Sequence, residues 1–371
     1  MTSSPLVASP VVPDHMMSIP IAAVPAKSRS QIDLNPRRMA FGSQLLDASV
    51  VRTLKVGEDK EVYLVFRKSG FSVLKITGVS PLGESADTIR SRLNHEAAFL
   101  AHLNGSPAPK LLDKGELEKR VYLETEHIDG VDAATTAAAC RKRGGTEGQE
   151  MLLRLAQTIG RTYAVLHERG ILHGDVQPGH VLIRRDGTAV LLDFGFARPA
   201  VSQTSLPTPP ERGGLPFFFE PEMARVALAR LPSMPTSGPG EQHAVAALIY
   251  FLITGAHWQN FRLGWEAMLE DIATLHPLSF HERGIESWPE MEAVLGRALS
   301  KLPDARFPSM SAFSLALDCV PMPSMANVPS CSYPFSKPLE RALANAALKP
   351  MAPVLHGSTV LITPLSSPIS C

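Results

Sequence analysis

Two acidic segments in the middle of the chain contain residues that could do chemistry. The first is His173-Gly174-Asp175, followed five residues later by His180. The second is Asp193-Phe194-Gly195, which comes after two predicted short strands over 181–184 and 189–192. Carboxylates bind hard divalent cations and accept protons from hydroxyl groups, and imidazole binds softer cations. Two carboxylates around a short pair of strands therefore suit a site that handles a cation and a proton.

A lysine and a glutamate earlier in the chain can add opposite charges to this site. Lys75 lies near the end of the third predicted strand, and Glu96 lies on a predicted helix over Asp87–Leu103. The helix prediction rests on apolar residues at helical spacing, namely Ile89, Leu93, Ala97, Leu100 and Leu103. By itself Lys75 would be interpreted as a surface lysine of a strand. The glutamate and the two aspartates that follow make it a candidate for the same site.

The elements that must position these residues change character along the chain. Strands are predicted over 50–56, 61–66, 71–76, 110–113 and 121–125. A helix over 150–169 ends at Gly170, a typical C-terminal stop. Further helices are predicted around 221–230, 240–254, 262–274, 290–301 and 309–319. A strand-rich part that contains one helix, followed by a helix-rich part, predicts a bilobal α+β fold.

Composition excludes several classes of protein. The 36 lysines and arginines balance 36 aspartates and glutamates, so no nucleic-acid binding is expected. The four cysteines form no CxxC pair, which favours a reducing compartment over a disulfide framework. No apolar run reaches the roughly 18–20 residues of a membrane-spanning helix. We expect a cytoplasmic protein with neither nucleic acid nor membrane as partner.

The two ends are rich in proline, which prevents long helices and strands. Residues 1–47 are predicted to be a disordered arm rich in proline and serine, and residues 321–371 a proline-rich tail. The N-terminal arm is similar to the export arms of bacterial effectors injected into host cells by type III secretion. It is equally similar to an ordinary disordered extension. Secretion into a host cell is therefore the alternative location.

The central segments resemble the protein-kinase superfamily. Its catalytic pattern is H-R-D-x-x-x-x-N, two short strands and D-F-G, and here His173, Asp175 and Asp193-Phe194-Gly195 match. Other matching features are Lys75, Glu96, a hinge at 123–128, an activation-segment end at 214–222, and the late arginine Arg306. The resemblance implies a domain over 48–320, with an N-lobe over 48–126 and a C-lobe over 127–320.

The resemblance also implies a role for each matching residue. Asp175 would be the catalytic base and Lys75 a catalytic residue that holds the ATP phosphates, oriented by Glu96. Asp193 would bind Mg²⁺, and His180, which stands in the asparagine position, would be a second metal ligand that shifts preference toward Mn²⁺. ATP would contact residues of the N-lobe and hinge: Gly57, Val62, Val73, Lys75, Glu96, Glu126 and Ile128. The expected activity is transfer of the γ-phosphate of ATP to a hydroxyl, most simply a serine or threonine of a protein substrate that the sequence does not identify.

Departures from the pattern leave alternatives open. Gly174 replaces the arginine that normally pairs with a phosphorylated activation segment, which is typical of divergent, non-RD kinases. Gln177 replaces the lysine of serine/threonine kinases, and Leu215 replaces a threonine near the catalytic aspartate. The glycine-rich loop keeps only Gly57 and Val62 of G-x-G-x-x-G-x-V. The alternatives are a catalytically impaired pseudokinase that acts as a scaffold, and a small-molecule kinase of the same superfamily.

His180 carries two further expectations. As a neutral metal ligand it would lose activity as the pH falls through its unperturbed pKa of ~6.5. As a loop histidine that points away from any metal, it would leave both the pH profile and the metal preference unchanged.

Overall fold

The computed structural model describes residues 42–57, 60–77, 86–117, 119–201, 205–208 and 212–321. The predicted N-terminal arm up to residue 41 and the predicted tail from residue 322 lie outside the described residues. No helix in the described part of the chain is both long and apolar enough to cross a membrane.

A six-stranded antiparallel sheet forms the N-lobe, in the order β1-β2-β3-β4-β6-β5. Its strands are β1 (Gln44–Leu45), β2 (Ala48–Val56), β3 (Lys60–Arg67), β4 (Gly70–Thr77), β5 (Leu111–Leu117) and β6 (Arg120–Glu126). Helix α1 (Ala86–Leu103) packs against β4, β5 and β6. The sheet places Lys75 on β4 and Glu96 on α1, as the sequence predicted.

The folded region begins before the predicted boundary at residue 48. Gln44 and Leu45 pair with Ser49 and Ala48, and the Leu45 side chain is buried. It belongs to an apolar cluster that includes Tyr63 and Leu74. Residues 42–47 are therefore part of the N-lobe, because burial of Leu45 ties this segment to the sheet.

Helices form the C-lobe around one large apolar core. They are α2 (Ala133–Arg143), α3 (Gly145–Glu168), α4 (Pro221–Leu228), α5 (Gly238–Thr254), α6 (Trp265–Thr274), α7 (Pro289–Ala298) and α8 (Met310–Asp318). Helix α5 is buried along most of its length and packs against α2, α3, α7 and α8. The bilobal α+β prediction is thus confirmed.

Two small sheets carry the segments with the acidic residues. Strand β9 (Val181–Arg184) pairs with β7 (Gly130–Asp132) on one side and with β10 (Ala189–Leu191) on the other. Strand β8 (Ile171–Leu172) pairs with β11 (Arg198–Pro199). Asp175 follows β8 and Asp193 follows β10, so two short pairings fix the separation of the two carboxylates.

Helix α2 was missed because its residues show no apolar periodicity. Its sequence is mostly alanine and threonine, followed by three basic residues in the last turn. Alanine has the highest helix propensity, and the Asp132 side chain accepts a hydrogen bond from the backbone N–H of Thr135. Propensity and an N-cap therefore form this helix without an amphipathic pattern.

Candidate active site

One face of the N-lobe sheet carries two lysines toward the same carboxylate. Val62 on β3 pairs with Lys75 on β4, and residues that pair across strands point to the same face. Side chains two residues apart on a strand share that face, which adds Lys60 and Val73. This face therefore presents Lys60, Val62, Val73 and Lys75 together, and the structure accordingly groups the predicted nucleotide-binding residues Val62, Val73 and Lys75.

Lys75 and Glu96 form the predicted ion pair. The Lys75 Nζ lies 2.5 Å from the Glu96 Oε1, and Lys75 lies 3.9 Å from the Asp193 Oδ1. The Glu96 side chain is only 3% exposed. A charged glutamate this deeply buried requires a partner, so the pair fixes the lysine at the mouth of the cleft.

The buried carboxylate of Glu241, on α5, holds the loop that carries Asp175. It accepts hydrogen bonds from the backbone N–H groups of His173 at 2.9 Å and Gly174 at 3.0 Å. It also lies 3.1 Å from the His167 Nε2, and these contacts lower the pKa of Glu241 against the effect of its burial. The His173 ring packs on Phe194 at 4.9 Å, as expected for a structural histidine. The loop is therefore anchored from below before any substrate binds.

Asp175 lies in an environment suited to a base. Its residue is 3% exposed, and the Gln177 Nε2 donates a hydrogen bond of 2.8 Å to one carboxylate oxygen. Burial and the negative charge of Asp193 raise the pKa of Asp175 to about 6. A carboxylate with this pKa is ionised at neutral pH and is a stronger proton acceptor than an exposed aspartate.

Asp193 is held in a left-handed backbone conformation, with φ of 63°, which non-glycine residues rarely adopt. Burial alone would raise the pKa of its carboxyl group. The positive charges of Lys60 and Lys75, with His180, instead hold the pKa of Asp193 well below its usual range. Asp193 is therefore a permanent anion at the centre of the cleft.

His180 lies between the two aspartates. Its Nδ1 is 3.1 Å from the Asp175 carbonyl oxygen, and its Nε2 is 3.8 Å from the Asp193 Oδ2. The interpretation of His180 as a loop residue pointing away is therefore not what the structure shows. Burial, together with Lys60, lowers the pKa of His180 to about 4, so the expected loss of activity through pH 6.5 needs correction. The ring is neutral well below that pH.

Lys60 is the residue of this site that the sequence interpretation missed. Its Nζ lies 2.5 Å from the Asp193 Oδ2, closer than Lys75 lies to either oxygen of that carboxylate. The signal was present: Lys60 stands at the third glycine position when residues 55–62 are aligned with G-x-G-x-x-G-x-V. Because this position is normally a glycine, a charged side chain there is a candidate residue of the site.

The remaining predicted contacts lie at the two ends of the cleft. Gly57 donates a backbone hydrogen bond of 3.0 Å to the Lys60 carbonyl oxygen and closes the turn between β2 and β3. Glu126 ends β6, where its side chain accepts a hydrogen bond from the Lys110 N–H, and Ile128 is buried just beyond it. These positions fit a loop at one end and a hinge at the other.

A magnesium ion fits this site only with help from a ligand. Among the described residues, no group of three or more histidine, cysteine, aspartate or glutamate side chains could hold a metal ion. Asp193 offers a carboxylate and His180 a neutral ring nitrogen. Mg²⁺ is usually held by one or two carboxylates, water and substrate phosphates, so these residues suit a cation that arrives with a nucleotide.

Two buried arginines anchor the segment that follows the site. Arg306 contacts the Glu222 carboxylate at 2.8 and 2.7 Å, the predicted ion pair. Arg212 contacts both oxygens of the buried Glu220, and its Nη1 donates to one of them at 2.6 Å. The second pair was not predicted, because nothing in the local spacing connects the two residues.

The backbone conformation at position 174 disfavours the arginine that is usual there. Gly174 has φ of 76°, and a Cβ atom there would collide with the Phe196 carbonyl oxygen. A small pocket lies beside it, lined by residues that include Arg212, Leu215 and Glu241. Leu215 thus reaches the catalytic loop, where the superfamily pattern has a threonine.

The chain matches known proteins over the region that forms this site. The protein kinase domain family matches residues 49–294. Serine/threonine-protein kinase PknF of Mycobacterium tuberculosis is 28% identical over 291 residues, which are 75% of this chain and 57% of that protein. PknI of Mycobacterium bovis is 26% identical over 286 residues, which are 76% of this chain and 43% of that protein. The chain thus spans about half the length of these curated relatives.

A solved structure shows the same fold. The crystal structure of the Mycobacterium tuberculosis PknI kinase domain has a TM-score of 0.52 and 25% sequence identity, over 76% of this chain and 98% of that domain. The match over residues 49–294 includes the charged residues of the cleft, Lys60, Lys75, Glu96, Asp175, His180 and Asp193. The chain belongs to the protein kinase domain family.

Proposed function

We propose that this domain transfers the γ-phosphate of ATP to a serine or threonine hydroxyl of a protein, with Mg²⁺ as the metal. The observation that carries the proposal is the assembled Lys75–Glu96 ion pair, with Lys75 also 3.9 Å from Asp193. In phosphoryl transfer by protein kinases this pair and the metal-binding aspartate must be in place together. The relatives named above are serine/threonine kinases, which supports the choice of acceptor.

The charged residues of the cleft have different roles. Lys75 binds the nucleotide phosphates, and Glu96 keeps its ammonium group in position. Asp193 and His180 would hold Mg²⁺, which would neutralise charge on the phosphate oxygens when bound. Val62 and Val73 offer an apolar face of the sheet to the adenine, and the backbone at Glu126 and Ile128 offers hydrogen bonds to its edge.

Asp175 orients the acceptor hydroxyl and accepts its proton. The Gln177 amide donates to the Oδ1, so the carboxylate is held in one orientation. The Oδ2 lies 3.4 Å from the His180 Nδ1. Because the His180 ring is neutral at physiological pH, it does not reduce the ability of the Asp175 carboxylate to accept a proton.

The anchored activation segment supports a protein as acceptor. The Glu222–Arg306 and Glu220–Arg212 pairs hold the end of this segment. It lies beside a small pocket whose lining includes Gly174 and Val176, the neighbours of Asp175 in the chain. A preorganised surface of this kind can position a polypeptide, whereas a small acceptor would need an enclosed pocket.

Lys60 favours a second candidate, a pseudokinase that binds partners without turnover. Its ammonium group occupies the face of Asp193 that a cation would need. If this pair cannot be displaced, Mg²⁺ does not bind and phosphate is not transferred.

Phosphotransfer from γ-labelled ATP by the purified chain tests the proposal. We expect labelled phosphoserine or phosphothreonine on the chain itself or on added proteins, and a loss of ~10²-fold or more in Asp175→Asn, the size typical of a general base. Asp186→Asn is the matched control, because Asp186 lies on the exposed turn between β9 and β10. Binding of ATP without transfer would establish the pseudokinase, and transfer only to metabolites would establish the small-molecule kinase.

We also propose the predicted boundaries and location, with the N-lobe extended to residue 42. The domain would occupy residues 42–320 and act in the cytoplasm, which agrees with the free thiols of Cys140 and Cys319. Fusion of residues 1–45 to a reporter tests the alternative of export into a host cell. Export that depends on type III secretion would replace the cytoplasmic location.

A further inference from the structure

Lys60 forms the shortest contact that Asp193 makes with a cation. Its Nζ is 2.5 Å from the Asp193 Oδ2, whereas the Lys75 Nζ is 3.9 Å from the Oδ1. The Lys60 side chain is 23% exposed, so it lies mostly inside the cleft. A lysine at the start of β3 thus reaches across the cleft to the segment that follows β10.

The register of the strands explains why Lys60 reaches the same carboxylate as Lys75. Lys60 shares its face with Val62, and Val62 pairs directly with Lys75. The two lysines therefore enter the cleft from neighbouring strands and converge on one carboxylate. Lys75 also has Glu96 at 2.5 Å, so only Lys75 keeps a carboxylate partner if Asp193 is occupied by something else.

The charge of Lys60 is maintained by its acidic surroundings. Its ammonium group lies 2.5 Å from the Asp193 Oδ2, and a carboxylate partner at this distance favours the charged form of a lysine. Lys55 and the neutral His180 ring also lie near Lys60, and Lys75 shares its carboxylate partner Asp193. Lys60 is therefore an ammonium ion, and loss of its contact with Asp193 would leave a largely buried cation without a close partner, which is costly.

Binding of a metal ion at Asp193 would remove the contact between Lys60 and Asp193. A metal ion at the Asp193 Oδ2 would compete with the ammonium group that lies 2.5 Å away. The anion that arrives with Mg²⁺ is the polyphosphate of the nucleotide, and β3 lies directly after the loop that would cover it. Phosphate oxygens are strong acceptors for an ammonium group.

We propose that Lys60 is a second phosphate-binding lysine that exchanges partners. It pairs with Asp193 when the cleft holds no nucleotide and with the nucleotide phosphates when Mg²⁺ takes Asp193. This inference rests on the proposed function, since it assigns a further residue to the same ATP site. It also explains how a glycine-rich loop that has lost its first and third glycines can still bind a nucleotide.

Calorimetric titration of the full chain with adenosine, ADP and ATP, each with excess Mg²⁺, tests this assignment. The variant is Lys60→Gln, and the control is Lys68→Gln, which neutralises an exposed lysine in the turn between β3 and β4. Loss of one charge-assisted hydrogen bond should raise the dissociation constants for ADP and ATP roughly 10-fold. Adenosine affinity should be unchanged in both variants, because adenosine carries no phosphate. Lys60→Arg should retain ATP affinity within a few-fold.

Adenosine binding also reports that the variant is folded. If Lys60→Gln loses adenosine affinity, Lys60→Met takes its place, since its unbranched apolar side chain fits the same space. Unchanged ATP affinity in the neutral variant would overturn the assignment. Tighter ATP binding would overturn it as well and would identify Lys60 as an inhibitory plug on the metal site. Failure of the wild type to bind ATP while it remains folded would overturn the proposed function itself.

Discussion

The cleft and the activation-segment anchor both contain buried ion pairs, but their charges are satisfied in different ways. Arg306, in the anchor, is fully buried and bonds to Glu222 and to the carbonyl oxygens of Pro239 and Ser300. In the cleft, Asp193 is shared by several cations, and Lys60 and Lys75 keep 23% and 13% of their side-chain surface exposed.

This difference separates charges that hold the fold from charges that hold reactants. A fully bonded buried pair has one arrangement, and removal of one partner leaves the other without compensation. Charges that share a carboxylate and touch solvent can change partners at small cost. We therefore expect mutations in the anchor to act mainly on stability, and mutations in the cleft to act directly on phosphate transfer.

The largest effect on stability is expected for Arg306→Met. Loss of its guanidinium leaves the Glu222 carboxylate inside the C-lobe without its partner, which should cost about 3–5 kcal/mol of unfolding free energy. Urea denaturation measures this value. The control is Arg185→Met, because Arg185 pairs with Asp129 on the surface and such pairs contribute roughly 0–1 kcal/mol. Equal losses in the two variants would show that the Arg306–Glu222 pair contributes no more to stability than a surface pair.

Lys75→Met should act mainly on phosphate transfer. Phosphotransfer at saturating ATP should fall by ~10²-fold, about 3 kcal/mol of activation free energy, because the lysine neutralises charge in the transition state. The unfolding midpoint in urea should also fall, because the buried Glu96 carboxylate loses its partner, so rates are compared without urea, where both proteins are folded. Lys68→Met, on an exposed turn, should transfer phosphate at the wild-type rate. Near-normal turnover by Lys75→Met would show that Lys75 does not bind the reacting phosphates.

The pH profile should report the raised pKa of Asp175. Only the ionised carboxylate accepts a proton, so kcat/KM should fall about tenfold per pH unit below a pKa of about 6. The effect of pH on the free energy of unfolding has the opposite sign. Because the folded pKa lies above that of an unfolded aspartate, protonation favours the folded state, and the contribution of Asp175 to stability declines as the pH rises through about 6. An acidic limb near pH 4 would instead assign the profile to another group, such as His180.

His180 should affect the choice of metal by several-fold. With a neutral ring nitrogen near Asp193, the wild type should use Mn²⁺ at least as well as Mg²⁺. His180→Asn should restore a preference for Mg²⁺, and His180→Ala should be worse than His180→Asn. Rates measured with each metal above pH 6 avoid protonation of the ring. Identical metal preference in all three proteins would show that His180 does not bind the metal.

The smallest effect is expected in the activation segment. Alanine at Ser202, Thr204, Ser205 and Thr208 should leave activity within a few-fold, although Ser202 and Thr204 lie outside the described residues. Gly174 has no side chain to receive a phosphate, and Arg212 already binds Glu220. A large loss that glutamate substitutions restore would show that another basic residue pairs with a phosphorylated segment.

The parts of the site that could be predicted are those in which local spacing fixes geometry. Asp175 and Asp193 each follow a short strand, and Lys75 lies on a strand with clear alternation of apolar residues. Their proximity could therefore be predicted from the order of these elements along the chain. Lys60 was missed because its role depends on the pairing of β3 with β4 and on the reach of its side chain. Arg212 and Glu220 were missed for a similar reason, since their contact depends on how the segment folds back. Helix α2 shows that a capped, alanine-rich segment can form a helix without a periodic pattern.

The most direct test of the account is a single-turnover measurement of γ-phosphate transfer from ATP by the wild type and by Asp193→Asn. The side chains have nearly the same shape, but only the aspartate carries the charge at the centre of the cleft. The account predicts measurable transfer by the wild type and a rate lower by ~10²-fold or more in the variant, which should remain folded without urea. Equal rates in the two proteins, or no transfer by a folded wild type that binds ATP, would contradict it.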